Sequence, residues 1–446
     1  MDGIHDLTKG HIPTLIRKIA VPASVGFFFH TMYNVVDTYY AGFISTEALA
    51  ALSLSFPLFF IILAMSSGVS TGTTALISNA LGEGDKEKAK DYAAQAVSFG
   101  VLLSVVLTIL GLALSPSLAR LLGASGSYLG ITLSYINVIF YGTVTFVLIQ
   151  TFNSSLVATG DTKKLRNYLI IGFFLNLVLD PWFLFGGFGL PSLGFAGIAL
   201  ATIIIQLLGA IYIGWSVVKL GMLSKDFWKR MIPRKQLYLD IASQGFPASM
   251  NMMTVAIGIF VITYFVSWFG QNGVAAYGIA VRIEQIALLP TVGLHIAALS
   301  LVGQNNGAKK NSRIMETYKK TVTYGLYTVT IGYVLVALFA RQLMQLFTAE
   351  AEVVSVGVQY LHIALFISWS YVLLFVTISA LQGMKKPMIA IGIGIYRQIA
   401  APLIAFPVLA SFFGLPGIWW GIFIISWSAA LITVWYGRRV MKGIVG

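Results

Sequence analysis

Apolar segments run through the whole chain, and most exceed the roughly 20 residues that a helix needs to cross the hydrocarbon core of a bilayer. Hydrophobic residues make up 57% and charged residues 10% of the sequence. That balance points to an integral membrane protein rather than a soluble domain. The segments are rich in Leu, Ile, Phe and Gly without strict alternation, which excludes a transmembrane β-barrel. They predict an all-α fold with spans at about 15 to 40, 50 to 78, 92 to 119, 128 to 159, 166 to 186 and 195 to 219, then about 241 to 268, 274 to 304, 318 to 345, 354 to 381, 388 to 411 and 417 to 437. Lys9, Arg17 and Lys18 lead directly into the first span with no small-residue cleavage site before it, so that span reads as its own uncleaved signal.

The twelve spans fall into two sets of six that repeat one another. At an offset of 225 residues, Pro22-Ala23-Ser24 falls on Pro247-Ala248-Ser249, Ala50-Ala51 on Ala275-Ala276, Gly68 on Gly293 and Gly82 on Gly307. An even number of spans per repeat gives both copies the same orientation, so the halves are expected to be related by an axis along the membrane normal, with a cavity between them. The expected division is an N-lobe over 1–218, a basic connector over 219–240 and a C-lobe over 241–446. In the connector, Phe227 and Trp228 beside Lys229 and Arg230 read as an interfacial linker on the cytoplasmic leaflet; an ordinary solvated loop is the alternative.

All but four of the 29 Lys and Arg residues belong to the N-terminus, the loops after even-numbered spans, or the C-terminus. Those four are Arg120, Arg282, Arg341 and Arg397. Both termini are therefore read as cytoplasmic in a multi-pass cell-membrane protein. The net charge of +13 follows from topology and contact with anionic lipid, not from nucleic-acid binding. No GxxxxGK[ST] loop occurs, so work done by this chain must draw on an ion gradient or another subunit. The absence of cysteine excludes disulfides and thiolate metal sites.

The halves differ in their acids. Asp37 and Asp180 sit within apolar spans of the first half, while Asp37 falls on Ile262 in the second. Acids in a membrane span are costly and by default functional. At about 1.5 Å per residue, Asp37 lies about 28 Å along its helix from Lys18 and Asp180 about 24 Å from Lys164, both in the outer half. Thr202, about 12 Å from the outer loop, and Tyr135, about 10 Å into its span, reach a similar level; Asn153 sits deeper, about 15 Å from Lys163. Asn176 precedes Asp180 by four residues and Asn34 precedes Asp37 by three, so each amide shares a helix face with its acid. Two facing carboxylates at low dielectric cannot both stay ionised without a counter-charge, which predicts uptake of a proton or of a hard cation such as Na⁺. The alternative is that each Asp caps backbone near an outer helix end, a reading to which Asp180, directly before Pro181, is the more open. Pro22, inside the first span, removes a backbone hydrogen bond and can kink the helix that bears Asp37.

The second half carries Arg282 and Glu284 on span eight and Arg397 on span eleven, all near the midplane at about 14 to 17 Å depth. Two residues apart, Arg282 and Glu284 point to different sides, so Glu284 is expected either to pair with Arg397 or to line a cavity with it. His30, His295 and His362 show no metal spacing and read as packed or interfacial. Phe and Met side chains lining a central cavity would suit flat apolar cations.

Asn34-Val35-Val36-Asp37-Thr38, Ala158-Thr159-Gly160-Asp161-Thr162, the Asn176-to-Asp180 stretch, Ala199-Leu200-Ala201-Thr202 and Val302-Gly303-Gln304-Asn305 together resemble the multidrug and toxic compound extrusion family, MATE, over essentially the full length. With its acids in the first half and none in spans seven and ten, the chain looks most similar to the DinF-type branch of the MOP superfamily. The resemblance implies a monomeric antiporter, not an enzyme and without a cofactor, that expels small organic cations in exchange for H⁺ or Na⁺ by rocking two six-helix lobes around a central cleft. It assigns Asp37, Asn176, Asp180 and Thr202 to the cation site, Tyr135, Asn153 and Asn34 to its hydrogen-bond network and Pro22 to the bend. A flippase for lipid-linked intermediates, using Arg282 and Arg397, is the alternative within the same superfamily.

Overall fold

The computed structural model describes residues 6–187, 189–223 and 226–445. Lys225 of the connector and the first five residues of the N-lobe segment lie outside them. The described residues are helical almost throughout: α1 (Ile12–Ile44), α2 (Thr46–Glu83), α3 (Lys86–Leu121), α4 (Gly126–Tyr141), α5 (Thr143–Ala158), α6 (Lys163–Phe185), α7 (Phe195–Lys219), the single turn α8 (Phe227–Arg230), α9 (Lys235–Ser267), α10 (Gln271–Gly307), α11 (Asn311–Leu338), α12 (Ala340–Gln345), α13 (Ala351–Gly383), α14 (Ile389–Ile395), a π-helical turn (Tyr396–Ala400), α15 (Ala401–Phe413) and α16 (Leu415–Val445). Among the described residues, eleven helices are long and apolar enough to cross a membrane, and the bent pair α4 and α5 makes twelve if it counts as one span.

Local chemistry sets these boundaries. Ser45 accepts from the Ala48 N–H at 3.0 Å and Asp85 from the Lys88 N–H at 2.9 Å, each serving as an N-cap. Gly84 ends α2 at φ 82°, where its N–H returns to Ala80 and Leu81. The fourth span, expected as one helix, breaks at Gly142 into α4 and α5 with a 43° bend. A Cβ at Gly142 would lie 2.4 Å from Ile203 Cγ1, so the break sits where α7 comes close. The eleventh span is also interrupted. Pro402 has no N–H to return to Gln398 and its ring excludes that carbonyl; the chain responds with one wide turn in which the Ala401 N–H reaches Tyr396 O.

The helices gather into two compact units, and the cuts between them fall inside α1 and α9. Among the described residues, Val25–Ser249 forms one unit, and Asp6–Ser24 with the residues from Met250 to 445 forms the other. The cuts after Ser24 and after Ser249 are themselves related by the 225-residue offset.

In the first unit, one apolar core runs through α2, α3, α5, α6 and α7 around Ile77, Ala96, Leu156, Ile205 and Ile213, and takes in Ile241 at the start of α9. The connector is tied to α3. Arg230 pairs with Glu87 and with Asp91 (2.6 Å), and Arg234 pairs with Asp91 (2.7 Å). Gln95 donates to the carbonyls of Arg230 and Ile232 and accepts from the Arg234 N–H at 3.0 Å. Glycine brings α9 against α2: a Cβ at Gly72 would meet the Gly245 nitrogen at 2.5 Å, and one at Gly68 would meet Ser249 Oγ at 1.9 Å.

In the second unit, the largest core surrounds Tyr333, Tyr360, Ile367 and Trp419. A smaller one packs Leu7, Ile12, Ile16 and Ile19 against Leu294, Ala297 and Leu301 of α10. The Leu7 N–H donates to Gln304 Oε1 at 2.9 Å and Asn305 Nδ2 donates to Leu7 O at 3.3 Å. Here too a glycine permits the approach, since a Cβ at Gly293 would lie 2.1 Å from Ala20 O.

These contacts make a direct test of packing. Gly72→Ala forces its methyl against backbone and is expected to destabilise the detergent-solubilised protein by about 1 to 3 kcal/mol, seen as a lower thermal unfolding midpoint. Gly42→Ala, with open space around it, leaves that midpoint unchanged.

Candidate functional site

Three helices of the first unit bring the two acids into one buried cluster. Asp37 comes from α1, Asn176 and Asp180 from successive turns of α6, and Thr202 from α7; all four are buried, Asn176 and Asp180 completely. Asn176 Nδ2 donates to Asp37 Oδ1 at 2.9 Å. The Asp37 and Asp180 carboxyl groups interact directly. Neither oxygen of Asp180, nor Asn176 Oδ1, meets a hydrogen-bond donor. Acceptors therefore outnumber protein donors in this buried cluster, and such a group of atoms can take a proton on one carboxyl or surround a hard cation with oxygen. It does not have the makings of a transition-metal centre: no group of three His, Cys, Asp or Glu that could hold a metal occurs among the described residues.

Asp180 lies within α6 rather than at its end, and its carboxyl does not cap backbone. Its proline neighbour is accommodated by a different residue. Pro181 cannot return an N–H to Leu177, and the Tyr40 hydroxyl donates to that carbonyl at 3.3 Å instead.

Sequence reasoning overlooked Tyr33, whose hydroxyl donates to Thr202 Oγ1 at 3.1 Å. The signal was its place one turn before Asp37 on the same helix face. Tyr135, buried and stacked on Phe195 with centroids 4.8 Å apart, lies within the electrostatic reach of both acids. Two other expected partners stand apart. Asn34 is exposed and donates to His30 O on its own helix at 2.9 Å, so it forms no hydrogen bond to the acids. Asn153 is buried on α5 with its Oδ1 unpartnered, and it too forms no hydrogen bond to the carboxyl pair. Pro22 lies inside α1 in the stretch that belongs to the second unit.

The acid of the second unit is held by tyrosines rather than by an arginine. Glu284 is buried on α10 and its Oε2 accepts from the Tyr360 hydroxyl at 2.7 Å. Tyr277 and Trp419 pack around Tyr360, with ring centroids 5.5 and 5.0 Å from it. The expected Glu284–Arg397 ion pair does not form: the Arg397 guanidinium lies over the rings of Tyr371, 5.0 Å away, and Phe375, 5.5 Å away. Arg397 is carried by the π turn Tyr396–Ala400. Arg282 points away from Glu284 and is exposed.

A profile of the MatE family matches residues 22–182 and, a second time, residues 247–406. The chain belongs to the MatE family. The two matches begin 225 residues apart, the offset of the internal repeat. Members of this family are membrane transporters, not enzymes. The probable multidrug resistance protein YoeA of Bacillus subtilis is 28% identical over 333 residues, 74% of this chain and 71% of that protein. A solved outward-facing structure of a multidrug resistance MATE family transporter of the MOP superfamily aligns with a TM-score of 0.91 at 25% identity, covering 100% of this chain and 99% of that one. A MOP superfamily transporter from Pyrococcus furiosus, whose binding pocket is described as having reverse polarity, aligns with a TM-score of 0.92 at 25% identity and the same coverage.

The contact between Asn176 and Asp37 is a charge-assisted bond when the acid is ionised. Asn176→Ala leaves a buried carboxylate without its donor and is expected to cost about 1.5 to 3 kcal/mol, measured as a fall in the thermal unfolding midpoint at neutral pH. Asn34→Ala, lost from an exposed face, leaves the midpoint in place.

Proposed function

We propose that this chain is a multidrug efflux antiporter of the plasma membrane that expels small organic cations in exchange for H⁺ or Na⁺, coupled through Asp37, Asn176 and Asp180. The observation that carries the reading is the carboxyl pair itself, buried with one amide donor to four carboxylate oxygens. Relatives named for multidrug resistance support the efflux. A proton on one carboxyl, or a Na⁺ held by Asp37, Asn176, Asp180 and Thr202, removes the repulsion between the acids. Its release restores a net negative site that draws an organic cation. Alternating access of two six-helix lobes, with Pro22 as the bend in α1, turns that exchange into transport. No cofactor enters, and one copy of the chain holds the whole pathway. The acids of the first half and their absence from spans seven and ten support a DinF-like member of the superfamily.

The distribution of basic residues supports a topology with both termini cytoplasmic. Trp228, 77% exposed beside Lys229, supports a connector that rests on anionic lipid headgroups. Nucleic acid is not a partner. A second reading, a flippase for lipid-linked intermediates, is favoured by one observation: the Arg397 guanidinium lies over the rings of Tyr371 and Phe375, and Glu284 bonds to Tyr360 instead of to it.

Efflux of ethidium from proteoliposomes under imposed pH or Na⁺ gradients tests the main reading. Asp37→Asn and Asp180→Asn are each expected to lower gradient-driven efflux at least about tenfold, since each removes an ionisable member of a coupled pair, with the unfolding midpoint retained. Efflux that survives in both variants overturns carboxylate coupling. Movement of a lipid pyrophosphate but not of ethidium supports the flippase.

A further inference from the structure

The repeat makes one exchange of residues twice, at helix ends read as cytoplasmic. Gly84-Asp85, after α2, falls on Lys309-Lys310, after α10, and Gly160-Asp161, after α5, falls on Lys385-Lys386, after α13. Gly84 and Gly160 turn the chain at φ 82° and 79°. The second half keeps that backbone but gives it a side chain, with Lys309 at φ 55° and Lys385 at φ 60°, the two residues other than glycine with positive φ among the described residues. A left-handed conformation is free for glycine and unfavourable for a residue with a Cβ. Lysine is thus held twice against the local preference of the backbone, an outlier that points to a use for the side chain.

Topology does not account for the exchange. Helix orientation follows the number of Lys and Arg near the membrane and takes little from Asp and Glu. In that number the halves are alike: residues 83–91 and 160–166 hold six basic residues, and their counterparts 308–316 and 385–391 hold five. The acids differ, since the first pair of stretches holds five and the second holds Glu316 alone. In the first unit acids neutralise these bases, as Glu83 does Lys88 at 3.0 Å and Glu87 does Lys90 at 2.7 Å. In the second unit Lys309, Lys386, Arg439 and Lys442 are exposed and form no ion pair with a described acid.

The helices that carry these cations are packed together. A Cβ at Gly383 of α13 would lie 2.7 Å from Leu299 O of α10, and one at Gly437 of α16 would lie 2.5 Å from Thr377 Cγ2 of α13. From those contacts all three helices run toward their basic ends. Apolar side chains are exposed beside the charges: the Arg439 guanidinium lies over the ring of Trp435, 5.7 Å away, Trp435 is 62% exposed, and Met388, two residues past Lys386, is 66% exposed. Tryptophan favours the headgroup level of a bilayer.

We propose that Lys309, Lys386, Arg439 and Lys442 form a binding site for the phosphate headgroup of an anionic phospholipid, with Trp435 and Met388 against its acyl chains. A soluble polyanion would use the charges but not the exposed ring and thioether. The assignment rests on the topology proposed above and not on transport, and it is read without any gradient, so the two readings fail separately.

Native mass spectrometry of the full chain, released from nanodiscs of equal parts phosphatidylcholine and phosphatidylglycerol, counts the lipid that stays bound. Phosphatidylglycerol is expected to be retained in excess, and its retention to fall about fivefold for each cation removed in Lys386→Gln and Lys442→Gln. Lys309→Gly, which returns the first half's residue to the same backbone, is expected to lower retention likewise while the thermal unfolding midpoint in phosphatidylcholine holds or rises. Lys86→Gln with Lys163→Gln removes two charges from the first unit and leaves retention in place. An equal loss in that pair means diffuse attraction to the bilayer and overturns the site. Equal retention of the two lipids by the intact chain overturns the proposal, and so does a lowered midpoint in Lys309→Gly, which marks a structural lysine. Full displacement of the lipid by glycerol phosphate, which has no acyl chain, means a site for free phosphates and overturns its assignment to lipid.

Discussion

Inside a bilayer a polar group has no water to fall back on, and the rest of this structure follows from that scarcity of donors. Most polar side chains of the spans return their hydrogen bonds to their own helix, as Ser55, Ser66 and Thr433 do. Where proline removes a backbone donor, another group or another geometry answers. Tyr40 serves the carbonyl that Pro181 leaves, and the chain widens by a turn at Pro402. Against that background, a pair of carboxyls with a single amide between them stands out. A group so expensive to bury is retained where charge must come and go.

The repeat places the same architecture twice and then breaks the chemistry. Proline, alanine and serine recur at 22–24 and 247–249, glycine recurs at 68 and 293, and in both halves the first helix passes from one compact unit to the other just after the serine. What does not recur is charge: acid on α1 and α6 in one half, arginine in a π turn in the other. Duplication supplied the frame, and divergence at a few interior positions supplied two dissimilar polar sites.

Much of this was legible in the residues. Long apolar runs gave the spans, because a bilayer leaves helices little freedom of length. Of the expected site, Asn176 of α6 reaches Asp37 of α1, and Thr202 of α7 is joined by the Tyr33 hydroxyl. Depth cannot report azimuth beyond a shared face, however, and there the reading failed. Asn34 lies three residues from Asp37 yet turns to its own backbone, whereas Tyr33, one residue earlier, reaches Thr202. The expected partner of Arg397 was missed because a π turn, which shifts register, sets the guanidinium over Tyr371 and Phe375 while Tyr360 takes Glu284. The break at Gly142 was hidden in an uninterrupted apolar run, since its cause is a neighbour, Ile203, and not the local sequence.

The division of α1 and α9 has a consequence for how such a chain is made. The second unit joins two stretches that lie far apart in sequence, Asp6–Ser24 and the residues from Met250 onward. Leu7, Ile12, Ile16 and Ile19 find Leu294, Ala297 and Leu301 only after the helices between them have been made. Contacts so distant along the chain form late and slowly. The core around Leu7 and Ile12 therefore closes only when α10 has formed, after the helices that lie between them in sequence.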